Sequence, residues 1–271
     1  MSCRLEMLGI SPVLILVRGM KMADSFWYIK NCNLFSQLSA ADISELESQS
    51  RMRKLKRGEA VYLPQDQADG VILVAQGRVK ICHATPDGKQ SILGFIDSGE
   101  IFGELSLLGT ERRDEYVETT EKTTLVLLPK PALRVVIRKY PEIVLGVTKL
   151  IGSRRQRVEK RLRNLLFRSN RERVIHLLLE LCEKYGQMTD DGIALNIRLS
   201  HQEMACIIGS TRETVTVVLG QLQKENFLRI SRRRVIITDL DRLASEVNEP
   251  APKVNLPTLA ANNYIPRFTP Q

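Results

Sequence analysis

Two S-x-x-E tetrads, Ser200-His201-Gln202-Glu203 and Ser210-Thr211-Arg212-Glu213, stand ten residues apart with Gly209 between them. Such a tetrad is a capping box. The serine hydroxyl closes an open N–H in the first helical turn, and the glutamate reaches back to the serine N–H. Each tetrad therefore predicts a helix start, and Gly209 supplies the left-handed residue that ends the first helix. Met204, Ile207 and Ile208 form the inner face of that helix. Val215, Val218, Leu219 and Leu222 form the inner face of the second, at i, i+3, i+4 and i+7. Two short helices joined by a glycine-containing turn are a helix-turn-helix. Apolar runs at 227–230 and 235–237 then flank Ser231-Arg232-Arg233-Arg234, which predicts a β-wing with a basic tip.

The inner face leaves Arg212, Glu213, Thr216 and Val217 pointing outward. The amino end of such a helix enters the major groove of DNA. There a guanidinium can pair with guanine O6 and N7, and a carboxylate can accept from cytosine N4. Ser200, Gln202, Ser210 and Thr211 lie at helix starts, where hydroxyls, amides and free N–H groups meet phosphates. Arg232 and Arg233 add phosphate contacts. Charge agrees with this partner. Residues 151–271 carry 20 basic and 13 acidic side chains, against 20 and 18 in residues 1–150. The excess positive charge thus sits in the half that holds the helix-turn-helix.

Upstream, apolar residues from Leu34 to Glu47 recur at helical spacing, with Ser39 as the cap. Short apolar runs follow at 60–63, 71–74, 79–81, 91–96 and 123–128, punctuated by Gly58, Gly70, Gly77, Asp87-Gly88 and Gly99. Short strands at this spacing predict a sandwich or barrel. Beyond Pro141, Ile143, Val144, Val147, Leu150, Ile151, Val158, Leu162 and Leu165 mark one long amphipathic helix. A small β domain cannot cover so long a stripe, so pairing with a second copy of the chain is expected. Another helix spans 171–185 and a strand-like stretch spans 193–199. The proline-bearing tail has no core pattern and is expected to be disordered.

Five dispersed cysteines without a C-x-x-C pair read as reduced thiols of a cytoplasmic protein, not as a disulfide framework or a metal cluster. Cys82-His83 is too sparse a pair to hold a haem. The apolar run at 8–17 is shorter than the roughly 20 residues of a membrane span. It is read as upstream of a physiological start at Met20 or Met22. With no nucleophile–base pair, metal cluster or phosphate-cradling loop, an enzyme is not expected.

The stretch SHQEMACIIGSTRETVTVVLGQL, the FGELSL segment at 102–107 and the long helix together resemble the Crp/Fnr superfamily of transcription factors, over residues 33–240. The resemblance implies an α+β fold with three parts. They are an N-terminal β-roll (a double-stranded β-helix or jelly roll), a long dimerisation helix and a C-terminal winged helix-turn-helix. The expected boundaries are 1–32 for an N-terminal extension, 33–130 for a cyclic-nucleotide-binding-like effector domain and 131–168 for the connecting helix. The DNA-binding domain then occupies 169–246, and 247–271 is the tail. The implied protein is a regulator, activator or repressor, that binds a palindromic operator as a homodimer, bends it, and has RNA polymerase as a further partner. Arg212 and Glu213 match the base-reading pair of the family. Ser200, Gln202 and Thr211 match its phosphate contacts. Val217 departs from the pattern, standing where many members carry a second base-reading arginine.

In cyclic-nucleotide-binding relatives, the segment matching Gly103, Glu104 and Leu105 and an arginine matching Arg113 hold the ligand. Here Asp114-Glu115 replace the small residues that follow, and Val158-Glu159 replace the Thr-Ser pair of the cAMP receptor. Arg154 and Glu159 align instead with effector positions of the nitrogen-control branch, although Asp114 stands where that branch has a pocket arginine. A cAMP-like nucleotide, a 2-oxoglutarate-like metabolite and no effector at all stay open. A cyclic-nucleotide-binding signalling module without DNA readout is the competing function. The exposed Arg-Glu pair and basic wing argue against it.

Overall fold

The computed structural model describes residues 28–29, 32–85, 87–231 and 234–254. The apolar run at 8–17, Met20, Met22, the wing-tip residues Arg232 and Arg233, and the tail beyond Val254 lie outside the described residues.

Among the described residues, eight strands build the first half: β1 (Arg51–Leu55), β2 (Ala60–Tyr62), β3 (Gly70–Gln76), β4 (Arg78–Ala84), β5 (Gln90–Asp97), β6 (Ile101–Phe102), β7 (Tyr116–Thr119) and β8 (Thr123–Pro129). They form two antiparallel sheets, ordered β1-β8-β3-β6 and β2-β7-β4-β5. Strand β3 shows how the sequence fixes the layers. Its side chains alternate between two apolar clusters, as strand periodicity requires. Ile72 and Val74 join Val79, Ile96, Phe102 and Val117 in the roll interior. Val71, Leu73 and Ala75 face the other way, onto the helices. The Asp87-Gly88 turn joins β4 to β5, with Gly88 at φ 83°.

Helix α1 (Ala40–Gln49) is capped by the Ser39 side chain, which accepts from the Asp42 N–H. Helix α2 (Lys130–Lys139) packs beside it, and Lys139 Nζ lies 2.7 Å from Asp42. Pro141 ends that run and starts α3 (Glu142–Phe167), 26 residues long. At 1.5 Å per residue this helix measures about 39 Å. Only Ile143 and Val147 of its stripe are buried. Farther along, Leu162 is 53% exposed, Leu166 64% and Phe167 80%.

The second half begins with α4 (Asn170–Tyr185), opened by a capping box between Ser169 and Glu172. The hairpin β9 (Gly186–Thr189) and β10 (Gly192–Leu195) follows, then α5 (His201–Ile208) and α6 (Arg212–Lys224). The wing strands β11 (Leu228–Ser231) and β12 (Arg234–Ile237) complete a sheet ordered β11-β12-β10-β9, and α7 (Leu240–Ser245) closes the unit. The strand expected at 193–199 thus stops at Leu195, and its partner β9 carries no apolar pattern to announce it.

The expected disorder of 247–271 does not hold over 247–254. Val247 is buried, and Ala251 and Val254 pack on the core of the winged unit. Glu249 pairs with Lys160 at 3.0 Å. The prolines deny this strap a helix but not an extended path across the surface.

The halves share an interface that no local pattern predicts. Cys82, Ile92 and Phe95 of the β4–β5 hairpin join the apolar cluster of α4, α5 and α6. Beside them, Asp97 accepts from the Tyr185 hydroxyl at 2.8 Å and pairs with Lys184 at 2.8 Å and with Arg78. Burial opposes ionisation of Asp97, but the Lys184 and Arg78 charges outweigh it and hold the carboxyl below its ordinary range. A depressed carboxylate stabilises the fold above its unfolded pKa of about 3.9, and that contribution fades as pH falls through the lower folded value. Asp97→Asn is therefore expected to lower the melting temperature at neutral pH and to flatten its decline in acid. A variant whose melting temperature tracks the wild type at every pH would count against this junction.

Candidate nucleic-acid interface and effector cavity

The recognition unit is set by its caps. Ser200 Oγ accepts from the Glu203 N–H at 3.1 Å, and Ser200 N–H donates to Glu203 Oε2 at 2.9 Å. Gly209 ends α5 at φ 65°, ψ 48°, in the left-handed region. A Cβ there would also meet Leu165 Cδ1 at 2.9 Å, so glycine serves both the turn and the close approach of α3. The second cap falls one residue later than the tetrad implies. Thr211, not Ser210, is the N-cap of α6, and its hydroxyl accepts from the Thr214 N–H at 3.2 Å. Thr214 occupies the third helical position, so the reciprocal Ser210–Glu213 box does not form. Ser210 instead donates its N–H to the Ala205 carbonyl, completing the turn.

This one-residue shift places Arg212 and Glu213 at the first two positions of α6, both exposed. Val215, Val218, Leu219 and Leu222 are buried beneath. Arg212 enters no ion pair among the described residues. The N–H at its own position and the Thr211 hydroxyl hold the Glu213 carboxyl below its usual range, so it stands ionised as an acceptor. Val217 is 59% exposed on the same face. Thr216 is exposed but engaged: its Oγ1 donates to the Arg212 carbonyl at 2.8 Å and lies 2.8 Å from His201 Nδ1. His201 therefore braces α5 against α6. Sequence reasoning missed it, because a histidine inside a capping box signals nothing until its partner fifteen residues away is known. Ser200, Gln202 and Thr211 are exposed at the helix starts, and Arg234 is exposed at the wing.

A cavity of about 280 Å³ lies where the roll meets the long helix. Gly103, Glu104, Leu105 and Arg154 line it, with Ile151, Val158, Glu115 and Arg157. Arg154 Nη1 donates to Glu104 Oε2 at 2.6 Å, tying helix to roll. Two expected members are elsewhere. Arg113 is 5% exposed and does not line the cavity. Its Nη1 donates to the Gly103 carbonyl at 3.0 Å and its Nη2 to the Gly70 carbonyl at 2.7 Å, while the guanidinium stacks 4.7 Å over the Tyr62 ring. It pairs with neither Glu104 nor the adjacent Asp114-Glu115, and Glu115 accepts from the Tyr62 hydroxyl. Glu159 pairs with Arg155 at 2.7 Å on the exposed side of α3. No group of His, Cys, Asp and Glu among the described residues could hold a metal, and no described helix is long and apolar enough to cross a membrane.

A glycine-turned recognition helix on a winged sheet, joined by a long helix to a two-sheet roll with a cavity, is the architecture of a DNA-binding regulator. Comparison with known proteins is specific about which kind. Residues 52–140 match the cyclic nucleotide-binding domain family and residues 172–246 match the Crp-like helix-turn-helix domain family. The global nitrogen regulator of Synechococcus elongatus is 30% identical over 189 residues, 69% of this chain and 85% of that protein. The CRP-like cAMP-activated global transcriptional regulator of Mycobacterium tuberculosis is 28% identical over 218 residues, 80% of this chain and 96% of that one. A solved CRP-family transcriptional regulator from Thermus thermophilus superposes with a TM-score of 0.62 at 25% identity, covering 73% of this chain and 98% of that one. The chain belongs to the Crp/Fnr family of transcriptional regulators.

Proposed function

We propose that two copies pair along α3 and place their α6 helices in successive major grooves of a two-fold symmetric operator, half-sites about 34 Å apart. The observation that carries this is the pairing of an uncommitted Arg212 with an ionised Glu213 at the exposed amino end of α6. Arg212 reads guanine and Glu213 its paired cytosine. Ser200, Gln202, Ser210, Thr211 and the wing arginines Arg232, Arg233 and Arg234 hold phosphates. Val217 packs on a thymine methyl, so each half-site keeps one read G·C pair and loses guanine preference at the position facing Val217. Selection from random duplexes tests this. Undiminished guanine preference there would overturn the assignment. The regulator acts in the cytoplasm, with RNA polymerase as a further partner.

The effector is a small organic acid of the 2-oxoglutarate type. Arg113, the phosphate partner in nucleotide-binding relatives, spends its donors on two backbone carbonyls. Arg154 and Arg157 are cations that face the cavity. The acid competes with Glu104 for Arg154 and so alters how α3 sits on the roll, shifting the population of DNA-competent dimers. A cyclic nucleotide is the second reading, favoured by Gly103, Glu104 and Leu105 at the cavity wall. Differential scanning fluorimetry separates them. A rise in melting temperature with 2-oxoglutarate that Arg154→Gln removes supports the first. A rise with cAMP alone supports the second.

A further inference from the structure

A second cavity, of about 310 Å³, lies between α3, α4, the end of α5 and the strap at 249–252. Among the described residues, only Arg157 borders both this space and the effector cavity. Much of its wall is apolar, from Leu179, Ile207, Pro250 and Pro252 among others. His176 lines it and is 5% exposed, yet neither ring nitrogen has a hydrogen-bond partner among the described residues. Glu249 Oε1 stands 3.6 Å from Nδ1, outside hydrogen-bonding range. Burial keeps the imidazole below its usual pKa, so it stands neutral, with one N–H to give. Arg161 donates Nη1 to the Leu93 carbonyl and Nη2 to Glu180, both at 2.8 Å, but its buried Nε has no partner among the described residues. Buried nitrogens of this kind are nearly always paired.

The charges around the cavity tell what is wanted. Glu180 is taken by Arg161 and Glu249 by Lys160. Arg173 donates to the Arg168, Ile208 and Gly209 carbonyls. Arg157 forms no ion pair among the described residues, and Glu183 is exposed. The uncommitted donors of the lining residues are an imidazole and a guanidinium N–H, both sealed just beneath the wall as the side chains stand, and the free Arg157 charge. We propose that this cavity binds a small monocarboxylate with an apolar body, its carboxylate held by Arg157 and by His176 once the imidazole turns out of its unpaired position, and its body against Leu179, Ile207 and the proline strap. Because the walls come from the long helix and from the recognition unit, an occupant fixes the angle between them. It acts on operator affinity from a site apart from the roll cavity, with Arg157 the residue the two share.

Sodium decanoate serves as the probe, titrated calorimetrically into the full chain. Saturable binding is expected at one site per chain, with the neutral 1-decanol bound at least tenfold more weakly. Ala251→Trp, which fills the space from the strap, is expected to abolish that binding. Leu105→Trp, which fills the roll cavity, is expected to leave it. His176→Leu is expected to weaken it about tenfold through the lost hydrogen bond to an anion, with a melting temperature no lower than wild type. Three results overturn the proposal: absence of saturable binding, equal affinity for 1-decanol, or loss with Leu105→Trp but not with Ala251→Trp. If Ala251→Trp fails to fold, His176→Leu decides, and unchanged affinity there refutes the site.

Discussion

With Leu162 and Leu166 both replaced by aspartate, the protein is expected to sediment as a monomer and to lose high-affinity operator binding while staying folded. Both side chains are more than half exposed on α3 and line neither cavity described above, so their removal costs the single chain little packing. In a paired helix they become the seam, and two carboxylates per chain in that seam face two more from the partner, buried and unpaired. The effect on DNA is large because a dimer binds its second half-site intramolecularly. Losing that advantage weakens binding by about 10²–10⁴-fold without touching a base contact. Analytical ultracentrifugation and fluorescence anisotropy on the same samples read both quantities. A double variant that stays dimeric, or a monomer that binds the full operator as tightly as wild type, would refute the seam.

Replacing Arg212 with alanine is expected to cost about 1–3 kcal/mol on the selected operator, and to relax preference at the base pair it reads. Its side chain is exposed and makes no ion pair in the described structure, so the loss does not come from folding. Arg234→Ala provides the contrast. Removing a phosphate contact weakens all sequences alike and lowers the slope of log affinity against log salt by about 0.9. If Arg212→Ala behaved like Arg234→Ala, with uniform loss and unchanged base preference, Arg212 would be a backbone contact. If neither changed affinity, α6 would not lie in the groove.

What the sequence discloses follows from how local the determining contacts are. The Ser200–Glu203 box, the Gly209 stop and the buried stripe of α6 are contacts between residues one to seven apart. The residue order alone displays them. The same locality explains the misplaced second cap: Ser210 and Thr211 both suit the position, and only the path of the turn, with the Ser210 N–H committed to Ala205, selects threonine. Strands β1 and β7 are hidden from a pattern reading because charged and polar residues occupy most of their positions. Arg51-Met52-Arg53-Lys54-Leu55 is an edge strand, where basic side chains protect against sheet-to-sheet pairing. The family pattern puts Arg113 at the effector. Its true partners, the Gly70 and Gly103 carbonyls, are 43 and 10 residues away and become neighbours only once the roll has closed. The docked strap at 249–254 is equally illegible, since prolines rule out a helix but not an adhering extended segment.

The loan of Cys82, Ile92 and Phe95 to the interior of the winged unit has a consequence for how the molecule breathes. The interior of the winged unit is closed by these three side chains of the roll, so parting the halves uncovers both sides of the contact, and amide hydrogens in α5 and α6 exchange by the same sub-global event as those in β4 and β5. A metabolite that touches only the roll will therefore slow deuterium uptake in the helix that meets the bases. Operator DNA will, by reciprocity, slow it in the roll.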